Sequence, residues 1–254
     1  MQMKPLILIS NDDGYASLGI KSLIEAMRPL GDLFVVAPDR ARSGASCSIT
    51  SDVPLSISHI HSEEGLKVYA CTGTPSDCTK LALDQMLMRQ PDLVVSGINH
   101  GSNASINVHY SGTVAVTTEA ALHGIPSVAF SSFNHDHKAD LSGLIPLCRS
   151  IAAQVLQNQL PYGTYLNVNF PDTEEFAGVK VCRMAYSRWV DEYEPCTRNR
   201  GGKYFWLAGE QINDEPNDTR TDLWAIEHDY VAITPIMVDT TNHDIIDEMQ
   251  DWDF

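Results

Sequence analysis

Two carboxylates stand side by side in the stretch Ser-Asn-Asp-Asp-Gly-Tyr-Ala-Ser, residues 10–17, directly after the apolar run Leu6–Ile9. Like charges about 4 Å apart at an effective dielectric near 20 cost on the order of 4 kcal/mol. Either Asp12 and Asp13 splay into water on an ordinary turn, for which Asn-Asp-Asp-Gly is suitable chemistry, or a positive charge offsets them. Three further polar clusters bear on that choice: "PDRARSGAS" with Asp39, Arg40, Arg42 and Ser43, "GINHGSNAS" with Asn99, His100 and Asn103, and "YSGT" with Ser111, Gly112 and Thr113. Taken singly, each is a plausible solvated loop, glycine-shaped turn or helix cap. Taken together, Asp12, Asp13, Ser43 and Asn99 offer only oxygen, the ligand type preferred by hard divalent cations such as Mg²⁺ and Mn²⁺. The backbone N–H groups at Ser111-Gly112-Thr113 would open a helix, which is an anion site. A cation beside an anion cradle implies a phosphoryl substrate, with the metal polarising a phosphoryl oxygen or activating water. Asp13 or a metal-activated water is the candidate for attack, with the other carboxylate fixing the metal; the sequence leaves both options open.

Such residues need elements that bring them together. "LILI" (Leu6–Ile9), "LFVVA" (Leu33–Ala37), "DLVVS" (Asp92–Ser96) and "SVAFS" (Ser127–Ser131) are short continuous apolar runs, as in strands buried on both faces. Between them, "LGIKSLIEAM", "TPSDCTKLALDQML", "SGTVAVTTEAALHG" and "LSGLIPLCRSIAAQVLQNQ" carry helical spacing and caps. Alternation in Val53–Ser58 and the run Lys67–Cys71 predict a β excursion. The expected fold is α/β, a doubly wound, Rossmann-like and mostly parallel sheet over residues 1–170. A hairpin-rich C-terminal segment, 171–254, follows as part of the same functional unit. In such sheets ligands bind outside the carboxyl ends of the strands. All four polar clusters fall on that rim.

Composition removes some classes of function. The chain has 254 residues with 17 Lys+Arg against 33 Asp+Glu, a formal net charge of -16. Nucleic acid and anionic membranes are therefore poor partners. Six cysteines show no CxxC and no zinc spacing. With no signal-peptide core and no spanning apolar run, a cytoplasmic protein is expected.

The segments "ILISNDDGYASLGI", "VVAPDRARSGAS", "TGTPSDC", "VVSGINHGSN" and "YSGTVAVTTEAALHGIPSVAFS" together resemble the SurE (survival protein E) family. The resemblance runs end to end and weakens after residue 170. It implies a metal-dependent 5'/3'-nucleotidase acting on nucleoside monophosphates. The family's metal ligands fall on Asp12, Asp13, Ser43 and Asn99, its second loop asparagine, a substrate- and phosphate-binding residue, on Asn103, and its phosphate segment on Ser111, Gly112 and Thr113. It also implies a homodimer or homotetramer built partly from the later segments. Asp229 stands where the family usually has Gly, and His100 where relatives often differ, so His100 receives no catalytic role.

The competing readings are a Mg²⁺-holding receiver-like module and another phosphoryl-transfer enzyme, including one acting on short polyphosphate. A receiver would need a Lys after its last strand, and Lys138 lies far from a strand end. The "HDHK" stretch, His135–Lys138, is read as a solvent-exposed polar loop rather than a metal site.

Overall fold

The computed structural model describes residues 4–197 and 202–253. The first half of the chain forms β1 (Leu6–Ser10), α1 (Leu18–Met27), β2 (Asp32–Pro38), β3 (Ile57–Glu63), β4 (Leu66–Cys71), α2 (Pro75–Leu81), β5 (Leu93–His100) and α3 (Gly112–Leu122). The second half forms β6 (Ser127–Ser132), α4 (Ile145–Asn158), β7 (Thr164–Phe170), β8 (Gly178–Val181), β9 (Ser187–Val190), β10 (Tyr193–Thr197), β11 (Lys203–Leu207), β12 (Glu210–Asn213), α5 (Asp222–Glu227), β13 (Tyr230–Met237) and α6 (Ile246–Gln250). The main sheet has nine strands in the order β3-β4-β2-β1-β5-β6-β7-β13-β8. From β4 to β7 every pairing is parallel. β3 and β13 run antiparallel to their neighbours β4 and β7.

The continuous apolar strands work because both faces are covered. Along β1, Ile7 and Ile9 meet α1 and α4 through Ile20, Leu23, Met27, Ile151 and Val155. Leu8 points the other way, to Cys78, Val116 and Ala120 on α2 and α3. This side-chain period of two is the reason a strand inside a doubly wound sheet has no polar face. Each fully buried Leu or Ile contributes roughly 1.5–3 kcal/mol relative to exposure. Winding reverses at β1: β2 lies on one side and β5 on the other. That pair is the switch point of the sheet.

Two expectations are corrected. The alternation at Val53–Ser58 is mostly irregular, and the strand instead spans Ile57–Glu63 with every residue exposed. An edge strand without a buried face leaves no burial pattern in the sequence. The helix expected after Thr74 keeps its α form through Leu81 and then widens into a π turn over Ala82–Met86. After residue 170 the chain forms the hairpin pairs β10–β11 and β12–β9, while β8 and β13 join the main sheet.

Candidate active site

The switch point places Asp12 and Asp13 just past β1, next to Asn99 and His100 at the end of β5. A tight turn presents the acidic pair. Asn11 Oδ1 accepts the Gly14 N–H at 3.1 Å, and its Nδ2 donates to Gly14 O and to Ser17 Oγ at 3.1 and 2.9 Å. Ser17 in turn caps α1. Gly19 lets α1 lie against β5, because a Cβ there would sit 1.9 Å from the Ile98 carbonyl oxygen. In β5 the pairing with β6 jumps from Ser96–Ala129 to Asn99–Ser131, a bulge of one residue. Bulges re-aim the side chains that follow them, here Asn99 and His100.

Asp12 does not splay into water. It is 4% exposed, and the start of α3 closes over it. The Thr113 hydroxyl donates a short hydrogen bond to Asp12 Oδ1. A Cβ on Gly112 would lie 2.7 Å from the Asp12 Cβ. Burial pushes the Asp12 carboxyl up to about 6. Thr113 opposes that shift, and the neighbouring Asp13 charge adds to it more weakly than burial does. Desolvation, rather than the repulsion estimated from adjacency, is the larger cost. Asp13 is half-buried, and its Oδ2 is buried without a partner.

The other expected ligands lie around this pair. Arg42 N donates to the Asp12 carbonyl at 2.7 Å and starts the turn that presents Ser43, which is exposed. Asn99 Nδ2 donates to Gly101 O at 2.8 Å, which fixes the amide and leaves Oδ1 as the outward acceptor. A buried, unpaired carboxylate oxygen beside a second buried carboxylate, with an amide oxygen on the adjoining strand, fits a hard divalent cation. Asp12, Asp13, Ser43 and Asn99 are the residues able to hold it.

A family model described as Survival protein SurE matches residues 7–191. The chain belongs to the SurE family. The "5'-nucleotidase SurE" of Bacteroides thetaiotaomicron is 51% identical over 97% of this chain and 95% of its own length. The protein of the same name from Phocaeicola vulgatus is 49% identical over 98% and 97%. The crystal structure of the SurE protein from Aquifex aeolicus superposes with a TM-score of 0.84, at 37% identity, covering 97% of this chain and 98% of that one.

The positions carried over from SurE fare differently. Asn103 is buried and pinned: its N–H donates to Asn169 Oδ1 at 3.0 Å, its Nδ2 to Ser131 Oγ at 2.7 Å, and its carbonyl accepts Asn167 Nδ2 at 2.8 Å. Ser111 Oγ accepts the Val114 N–H and caps its own helix. With Thr113 turned to Asp12, both hydroxyls of the Ser111-Gly112-Thr113 segment have partners inside the protein. From sequence, His100 carried no catalytic role and His137 sat in a solvent-exposed polar loop; the fold brings the two rings together. His100 Nδ1 lies 3.7 Å from Asp13 Oδ2, and its ring centroid is 5.3 Å from that of His137. β6 runs beside β5, so the loop after β6 returns to the same rim. That adjacency was the available signal. At the expected glycine position, Asp229 takes the left-handed conformation, φ 63°.

Proposed function

We propose that the protein is a metal-dependent phosphomonoesterase that hydrolyses nucleoside 5'- and 3'-monophosphates to nucleoside and phosphate. The observation that carries this reading is the buried Asp12–Asp13 pair at the switch point, where Asp13 Oδ2 has no protein partner. Support comes from the family and from full-length relatives named 5'-nucleotidase. Asp12, Asp13, Ser43 and Asn99 hold the ion, which is Mg²⁺ or Mn²⁺. Bound there, a divalent cation neutralises the carboxylates and polarises a phosphoryl oxygen.

The chain's own groups divide the remaining work. Asp12 is fixed by Thr113 and Gly112 and acts as the anchoring carboxylate. Asp13 attacks phosphorus, or takes the proton of an attacking water. The Ser111-Gly112-Thr113 helix start turns its positive dipole end toward the phosphate. Asn103 binds the substrate phosphate and orders the loop that presents Asn99. The bond broken is between phosphorus and the ester oxygen, and the nucleoside leaves as its alcohol.

The protein acts as a homodimer or homotetramer, with 171–254 as the oligomerising segment. The exposed run Tyr204, Phe205, Trp206 and Leu207 on β11 supports that placement. No helix among the described residues is long and apolar enough to cross a membrane. All six cysteines are free thiols, in keeping with a reducing cytoplasm. The test is a phosphate-release panel over 5'- and 3'-nucleoside monophosphates and short polyphosphate. Chelation is expected to abolish release and Mg²⁺ or Mn²⁺ to restore it. Full activity in excess chelator after dialysis refutes the proposal.

A further inference from the structure

We propose that Asp13, His100 and His137 form a second cation position beside the oxygen-only one, taking a borderline divalent ion such as Zn²⁺ or Co²⁺ through one carboxylate oxygen and two imidazole nitrogens. Three atoms raise the question. Asp13 Oδ2, His100 Nδ1 and His100 Nε2 are all buried and none has a hydrogen-bond partner. The His100 side chain is only 2% exposed. An unsatisfied buried polar atom costs about 1–3 kcal/mol, and native proteins keep few of them. Here two of the three face each other at 3.7 Å. His137 completes the group: one ligand atom from each of the three residues lies within 4.8 Å of the other two.

An ion pair between His100 and Asp13 explains less. At 3.7 Å the contact is longer than a hydrogen bond. A shared ion needs ligand atoms roughly 3.3 Å apart, given metal–nitrogen bonds of about 2.0–2.1 Å in a tetrahedral site. Asp13 and His100 are close to that spacing. His137 is exposed and can turn inward without disturbing a core. Its loop is already shaped: Asn134 Nδ2 donates to Asp172 Oδ1 at 3.0 Å, Asp136 N to Asn134 Oδ1 at 2.8 Å, and Lys138 N to Asp136 Oδ1 at 2.9 Å.

Donor chemistry separates the two positions. Imidazole favours Zn²⁺, Co²⁺ and Ni²⁺ over Mg²⁺, while carboxylate and amide oxygen suit Mg²⁺ and Mn²⁺. Asp13 has two carboxylate oxygens and can serve both. Ion binding at this position does not depend on nucleotide hydrolysis being the reaction.

The experiment uses the full chain, made without a histidine tag, stripped by chelator and titrated with Co²⁺ in equilibrium dialysis, with visible absorption recorded. The expected result is that His137→Ala binds one ion per chain fewer than wild type, or binds that ion at least about tenfold more weakly. The nitrogen-ligated absorption band should go with it. Asp12→Asn should keep the band, and excess Mg²⁺ should not displace it. His100→Gln, checked for wild-type circular dichroism, should behave as His137→Ala does. If His137→Ala binds Co²⁺ with wild-type stoichiometry, affinity and spectrum, the second position does not exist.

Discussion

Replacing Asp12 by Asn should stabilise the metal-free protein at neutral pH, although Asp12 is a proposed metal ligand. Burial raises the Asp12 carboxyl from 3.8 to about 6. A carboxylate with a raised native value holds its proton more tightly folded than unfolded. Its stabilising contribution is therefore complete below the unfolded value and is lost as pH rises through the native one. At about 1.36 kcal/mol per unit, the ionised group costs the fold about 3 kcal/mol above that window. Asn carries no charge and keeps an oxygen for the Thr113 hydroxyl. Its new N–H₂ donors bring a penalty of about 1 kcal/mol if they stay unpaired. The net gain near pH 7.5 is then about 1–2 kcal/mol.

The pH dependence is the sharper readout, because the Asn penalty does not vary with pH. Between about pH 4.5 and about pH 7.5, wild type should lose about 2 kcal/mol relative to Asp12→Asn. Urea unfolding in excess chelator at several pH values measures this directly. Added metal should reverse the order, since it stabilises whichever native state binds it more tightly. A stability difference that stays flat across that pH range refutes the claim that a desolvated Asp12 charge burdens the fold.

Thr113→Ala should lower kcat/KM less than Asp13→Ala does and should move the pH dependence of metal affinity upward, because the Thr113 hydroxyl favours ionised Asp12; isothermal titration across pH checks it. Gly112→Val should be worse than Thr113→Ala and should weaken metal binding as well as turnover, since its Cβ would press on Asp12 from 2.7 Å at a cost of about 1–3 kcal/mol. Metal titration of this variant separates that effect from loss of substrate affinity alone. Asp229→Gly should raise stability by about 1 kcal/mol by relieving the left-handed strain, with kcat unchanged; thermal melts and steady-state rates together test it.

Much of the core was legible because the buried strands advertise themselves. Runs such as Leu6–Ile9 and Leu93–Val95 are apolar on both faces, and helices with clear caps separate them. Legibility failed where burial is absent, as along the exposed β3, and where pairing is remote. Nothing local in Tyr230–Met237 says that it returns to pair with β7 rather than with the hairpins nearby. The rim position of Asp12, Asp13 and Asn99 was readable because they stand at strand ends. His100 and His137 were not, since thirty-seven positions and a crossover helix separate them. Their proximity depends on β5 and β6 being neighbours, a fact of topology.

The start of α3 shows how the two halves of the site depend on each other. A helix N-terminus carries roughly half a positive charge, and Asp12 is the first anion to use it. Thr113 donates its hydroxyl to Asp12 and is itself fully buried, so no substrate oxygen can take that bond. A phosphate dianion approaching this rim meets a dipole already engaged, two carboxylates and a protein of net charge -16. Donors and dipole alone do not offset that field at the site. A cation held by the proposed ligands would, so on the proposed function metal should be needed for substrate binding as well as for turnover. The acidic pair that looked costly in the sequence would then be the feature that makes substrate affinity conditional on the ion.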